Sequence, residues 1–296
     1  MNARAAHESA NVEQALVLEC SSEQLVAVVH LAPDARAPIG VLVVVGGPQY
    51  RVGSHRQFTL MARALAAAGF PVMRFDYRGM GDSDGEFQGF ESVGDDIRCA
   101  LDAFVHAVPA LQGVVLWGLC DGASAVLMGC NSDPRVRGVI IANPWVRTQA
   151  SEAQVYLRHY YGTRFLQLAF WKKALSGGLN PISTLREIAT KVRTAQASAP
   201  AAGSRTSFID RMRSGWAAFK GPTLLLISGQ DLTAKEFMDL SAASPEWQKL
   251  LRRPTVQTVE LKEADHTFSQ RAALDAATEH CRQALMRLGP ELRRSA

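Results

Sequence analysis

Gly118-Leu119-Cys120-Asp121-Gly122 follows the apolar run Gly113-Val114-Val115-Leu116-Trp117 and opens the helix-compatible stretch Ala123-Ser124-Ala125-Val126-Leu127-Met128. The order reads as strand, sharp turn, helix, with Cys120 at the apex. A side chain on such a turn is lifted clear of the sheet, at a helix N-terminus whose free N–H groups favour negative charge. Glycines two residues before and two after keep the flanks from colliding with the strained turn. This is the pattern of a nucleophile elbow with cysteine in the serine position.

Working outward, Leu16 to Leu18 and Leu25 to Leu31 read as two opening strands, and Val41-Leu42-Val43-Val44-Val45 as a strand buried on both faces. A helix is expected at 57–68, a strand from Pro71 to Asp76, a helix at 91–108, and strands from Gly138 to Ala142, Pro222 to Ser228 and Val256 to Leu261. This alternation predicts an α/β class with a mostly parallel central sheet flanked by helices. Between Asn143-Pro144-Trp145 and Pro222 the periodicity is helical without strands. A helical lid is therefore expected at 146–219, inserted between core segments 1–145 and 220–296. Its first half is aromatic (Tyr156, Tyr160, Tyr161, Phe165, Phe170, Trp171), which fits packing onto the sheet or an acyl-binding wall. Its Ala/Ser/Gly-rich stretch 194–207 is expected to be flexible.

With 296 residues and 47% hydrophobic content the chain can bury one large core. Its 32 basic and 28 acidic residues are spread along the sequence for a net charge of +4, which does not describe a nucleic-acid surface. The five cysteines form no C-x-x-C pair, so neither a structural metal nor a disulfide framework is expected. Cys20, Cys99, Cys130 and Cys281 are read as inert thiols. No signal core opens the chain, and no run approaches the roughly 18 apolar residues of a membrane helix. The expectation is a cytoplasmic protein without stable membrane insertion, metal or organic cofactor; assembly into a homo-oligomer stays open.

A cysteine nucleophile needs a base, and the base needs a group that sets its tautomer. One chain order for such a set is nucleophile, then an acid after a later strand, then a histidine after the last. Asp231 closes the strand ending Ile227-Ser228-Gly229-Gln230, and His266 follows the strand 256–261. Cys120, Asp231 and His266 are the expected catalytic residues. His55 is the rival base and Asp265 the weaker rival acid; Asp239 and Glu236 read as exposed helix residues. A helix N-terminus and an imidazole lower a thiol from its ordinary pKa of about 8.5. Because a thiolate also leaves readily, activated acyl groups such as esters, lactones and thioesters are favoured over amides.

The oxyanion requires two N–H donors, one from Asp121 after the nucleophile and one from the loop after 41–45. That loop reads Gly46-Gly47-Pro48-Gln49-Tyr50, and since proline lacks a donor, the Gln49 N–H is the expected partner. Arg51, His55 and Arg56 follow, as contacts for a substrate carboxylate or phosphate or as solvated loop charge.

The elbow, the Asp231 and His266 loops and Phe75-Asp76-Tyr77-Arg78-Gly79-Met80-Gly81-Asp82-Ser83 together resemble the α/β-hydrolase superfamily. The last segment resembles its D-x-R-G-x-G-x-S turn, which is usually structural. More narrowly, Gly46 to Gln57 with the Gly-Leu-Cys-Asp elbow resembles the first hydrolase family associated with the exosortase A system. That resemblance implies a cytoplasmic bacterial hydrolase linked to exopolysaccharide production, without fixing a substrate. Cysteine for serine departs from the better-known esterases and is similar to dienelactone-hydrolase-like enzymes; Gly46 stands where many have histidine.

The expected function is an acyl hydrolase for a small-molecule ester or thioester, working through a covalent acyl-enzyme. Two alternatives stand beside it. One is an acyltransferase that delivers the acyl group to a saccharide under a dry lid. The other is a non-catalytic binding protein on a hydrolase fold.

Overall fold

The computed structural model describes residues 12–31, 37–47, 49–147 and 206–294. Eight strands form one sheet: β1 (Val12–Cys20), β2 (Glu23–Leu31), β3 (Ile39–Val44), β4 (Val72–Phe75), β5 (Gly113–Leu119), β6 (Val136–Ala142), β7 (Thr223–Ser228) and β8 (Val256–Leu261). Their order is β1-β2-β4-β3-β5-β6-β7-β8. β1 and β2 are antiparallel to each other, β2 is antiparallel to β4, and every later pairing is parallel. The described helices are α1 (Gln57–Ala67), α2 (Gly94–Ala107), α3 (Asp121–Gly129), α4 (Phe208–Ala218), α5 (Leu232–Ala243), α6 (Pro245–Leu251) and α7 (Arg271–Arg294). The expected α/β architecture is present.

β3, β5 and β7 are buried at every position, which is why they read as unbroken apolar runs. On one face Val41 and Val43 join Phe58 and Leu65 of α1 and Leu285 of α7 in the main cluster. On the other face Gly40 lies against the Phe104 ring of α2, alternate residues along a strand pointing to opposite faces. β1 is longer than the three residues expected. It pairs with β2 over its whole length but is exposed along most of it, so its apolar signature is confined to the few inward positions.

The chain divides into two compact units, residues 1–145 with 207–296, and residues 146–206. The expected lid aromatics and nearly all of the expected flexible stretch 194–207 lie outside the described residues. The expected boundary at 219 is corrected: α4 belongs to the first unit. Met212 and Trp216 are buried, and the Trp216 indole N–H donates to Thr223 Oγ1 at 3.1 Å at the start of β7. Gly215 sits directly on the last turn of α3. Helical periodicity alone could not separate a core helix from an insertion helix. Among the described residues no helix is long and apolar enough to cross a membrane.

A Cβ on Gly215 would run into the main-chain oxygens of Leu127 and Met128. Gly→Ala in an exposed helix stabilises by up to about 1 kcal/mol, whereas Gly215→Ala is expected to destabilise by about 1–3 kcal/mol. The urea midpoint of the variant measures the sign.

Candidate active site

Cys120 joins β5 to α3 with φ 60° and ψ −127°, a left-handed backbone that a side chain adopts only under constraint. The constraint is a set of main-chain bonds. The Cys120 N–H donates to Ala142 O at 3.0 Å, and Cys120 O accepts from Ser124 N at 3.2 Å and from Trp145 N at 3.1 Å. The thiol remains partly exposed at the head of α3.

The loops after β7 and β8 bring Asp231 and His266 together. His266 Nδ1 lies 2.8 Å from Asp231 Oδ2. Asp231 is also the N-cap of α5, where its two carboxylate oxygens accept from Thr233 N and Ala234 N at 3.1 Å each. Burial, capping and the histidine thus fix the carboxylate in one orientation. The Asp231 hydrogen bond, then a hydrogen bond with the Cys120 thiol, push the His266 imidazole up to about 10, against the opposing effect of burial. The three residues expected to act together are therefore brought together.

Asp121 contributes more than its main chain. Its carboxylate accepts the Gly47 N–H, clasping the loop after β3 onto the first turn of α3. Burial raises this carboxyl above its ordinary value, opposed by amide bonds and by the nearby His266 charge. The Gly47 donor is thereby occupied, and residue 48 is proline. Gln49 uses its side-chain oxygen to accept the Ser54 N–H at 3.1 Å, which folds the loop back on itself.

Arg51 is not the free cation that the sequence allowed. Its guanidinium pairs with Asp76, fully buried at the end of β4, and with Asp82 at 2.6 Å, while its N–H donates to Asp76 Oδ1 at 2.6 Å. Asp76 also accepts the Asp82 N–H at 3.1 Å, so the glycine-rich 75–83 turn is built around this carboxylate. Tyr77 adds a hydroxyl bond to Val45 O. His55 and Arg56 differ from Arg51: both are exposed, in consecutive left-handed conformations at the entry to α1.

The other expectations divide. Burial, as the largest cause, pushes Cys20, Cys130 and Cys281 up to about 12, the state of inert thiols. His30 is buried and held down at about 4, chiefly by burial and then by Arg74, whose Nε donates to it at 2.9 Å. Glu236, expected to be exposed, is buried on α5. Two residues near the site escaped sequence reading: Gln57, whose amide, with its nitrogen assigned to the side facing two carbonyls, donates to Ser54 O at 2.9 Å and Thr267 O at 2.6 Å, and Asn143 at the exit of β6. Both are polar residues beside apolar runs, visible in the sequence only as breaks. Cavities of about 350 and 420 Å³ lie elsewhere, between α2 and α3 and beneath β6, β7 and α7; neither is lined by Cys120, Asp231 or His266.

With this geometry in place, the chain matches the Hydrolase_4 family, described as serine aminopeptidase, S33, over residues 36–268, and it belongs to that family. The chain has the α/β-hydrolase fold, with cysteine at the elbow of a family described by serine. Human Protein ABHD12B is 32% identical over 109 residues, covering 34% of this chain and 29% of the relative; the chain thus spans under a third of that protein. Among solved structures, the esterase Pf2001 of Pyrococcus furiosus superposes with a TM-score of 0.64 at 13% identity, covering 94% of this chain and 91% of the esterase. Est1E of Butyrivibrio proteoclasticus with ferulic acid bound gives 0.61 at 15% identity, covering 92% and 98%. Proline iminopeptidase of Mycobacterium smegmatis gives 0.56 at 16%, covering 94% and 99%.

Asp231→Asn keeps an N-cap but removes the main cause of the raised histidine, so the His266 NMR titration midpoint should fall from about 10 toward 6.5. A raised folded-state pKa stabilises fully below 6.5 and loses that contribution as pH rises through 10. The stability gap between wild type and variant should accordingly shrink over this window. Separately, Arg51→Met should lower unfolding free energy by about 3 kcal/mol, the cost of leaving a buried carboxylate unpaired. Turnover of neutral and anionic esters should fall alike; selective loss of anionic esters would make Arg51 a substrate contact.

Proposed function

We propose that the protein is a cysteine-nucleophile acyl hydrolase, an esterase or thioesterase that works through an acyl-enzyme. The observation that carries this reading is the 2.8 Å bond of His266 to a buried, capped Asp231, with Cys120 on a strained elbow among the groups that raise the imidazole. With its proton held by His266 as a thiolate–imidazolium ion pair, Cys120 Sγ bonds to the acyl carbon, and the carbonyl π electrons move onto oxygen. Collapse of this adduct breaks the bond to the leaving group, which takes its proton from His266. Water then attacks the acyl-cysteine, His266 accepts the water proton, and the thiolate leaves to restore the ion pair. Asp231 holds Nδ1–H so that Nε2 faces the reacting atoms.

The developing oxyanion is assigned to the Asp121 N–H and the Gln49 N–H. Occupation of the Gly47 donor and proline at 48 support Gln49 as the loop's contribution. His55 and Arg56 are the contacts proposed for an anionic group on the substrate; their exposure and paired left-handed strain support this role. The likeness of the 46–57 loop and the elbow to the exosortase A-associated hydrolases supports a bacterial, cytoplasmic setting tied to exopolysaccharide production. The acyl ester or thioester is a small molecule.

Cys120→Ala should lower turnover of activated aryl esters and acyl thioesters by at least about 10³-fold, as removal of a nucleophile does. Cys281→Ala should remain within a factor of a few of wild type. Equal turnover in both variants would overturn the proposal, and steady-state assays of the purified proteins decide it.

A further inference from the structure

The β6–β7 ladder ends at Ala142 and Leu226, and the chain turns away at Asn143 with φ 46°. Pairing continues beyond this point through a side chain. The Asn143 N–H donates to Leu226 O at 3.1 Å, and its Oδ1 accepts the Ser228 N–H at 2.9 Å. Its Nδ2 donates to Ser228 Oγ at 2.9 Å and to His266 O at 3.3 Å. Asn143 is fully buried. One amide therefore joins the exit of β6, the end of β7 three residues before Asp231, and the main chain of His266.

We infer that Asn143 is a positioning residue, holding the acid-bearing and base-bearing loops in the register that aligns His266 with Asp231. This rests on the catalytic reading given above and goes beyond it. Direct bonds between the two loops, from Gly229 N to Leu261 O at 2.9 Å and from Gln230 N to Ala264 O at 3.0 Å, lie upstream of His266. Among the described residues, the Asn143 amide reaches the His266 peptide itself. Asparagine suits the place on two counts. It tolerates the left-handed backbone, and it presents a donor and an acceptor on one rigid plane. Aspartate would keep the acceptor for Ser228 N but lose both donors and turn an oxygen toward the His266 carbonyl. An apolar residue would leave Ser228 N–H and His266 O unpaired in the interior.

The test compares wild type with Asn143→Gly, which keeps the backbone conformation accessible and deletes only the side chain, and with Asn143→Asp, which is nearly isosteric. Ser228→Ala, deleting one bond of the four, is the graded control. The inference expects the His266 NMR titration midpoint to drop by at least about one unit from its raised position in Asn143→Gly and Asn143→Asp. It expects kcat for an activated ester to fall about 10²-fold, with KM within about twofold, as a small misplacement of a catalytic group produces. Ser228→Ala should lie between these variants and wild type. Folded Asn143 variants with unchanged His266 titration and unchanged kcat would overturn the inference. If Asn143→Gly does not fold, Asn143→Asp and Ser228→Ala carry the same comparison. Failure of the catalytic reading is distinguishable: Cys120→Ala would then retain turnover, while the His266 titration would still judge Asn143.

Discussion

The structure depends on how closely two stretches of main chain approach each other where β3 exits and α3 begins. A Cβ on Gly46 would strike Leu119 O and the Asp121 carboxylate, one on Gly118 would lie 2.7 Å from Ala123 N, and one on Gly122 would lie 2.5 Å from Val44 O. Gly46 and Gly122 let the elbow press against the exit of β3, and Gly118 lets the first turn of α3 fold back onto β5. That contact, with the bonds from Cys120 to Ala142, Ser124 and Trp145, holds the left-handed conformation that would otherwise relax. The thiol is raised above the sheet because the backbone beneath it cannot move.

The remaining functional groups follow from the same sheet. Parallel strands deliver their exits to one edge, so the loops after β3, β5, β6, β7 and β8 meet there without long-range folding of their own. Each loop is then secured by a buried polar contact: Asp121 holds Gly47, Asp76 holds Arg51, Asn143 holds Ser228 and the His266 peptide, and Gln57 holds Thr267. Asp231 has a double duty, capping α5 and pairing with His266, which makes the acid part of the helix that supports it. Buried charge near the site is in each case matched by an amide or a guanidinium, as low dielectric requires.

How much of this was legible depended on whether the signal was local. The unbroken valine run of β3, the apolar strand before Cys120 and the order of the loops carrying Asp231 and His266 are patterns tied to burial and to turn geometry, and they make the fold legible. Only a short part of β1 is legible because an exposed edge strand carries apolar residues on few positions. α4 reads as part of the insertion because its burying partners, the α3 carbonyls and Thr223, are distant in sequence or lack a periodic signature. Arg51 looked available since its partners Asp76 and Asp82 sit in a turn recognised only as structural. Asn143 read as a break, when its side chain in fact extends the ladder. The loops' polar anchors are long-range pairings, and a single sequence does not display them.

The central claim is that Cys120 carries the acyl group. Its most direct test is to quench the wild-type protein within seconds of mixing with activated acyl esters and thioesters, digest it at low pH, and map the modification by mass spectrometry. The account predicts an acyl increment on the peptide containing Cys120, removed by neutral hydroxylamine and missing from Cys120→Ala. Ester turnover accompanied by an acyl increment on another residue, or by none on Cys120 under rapid quench, would contradict it.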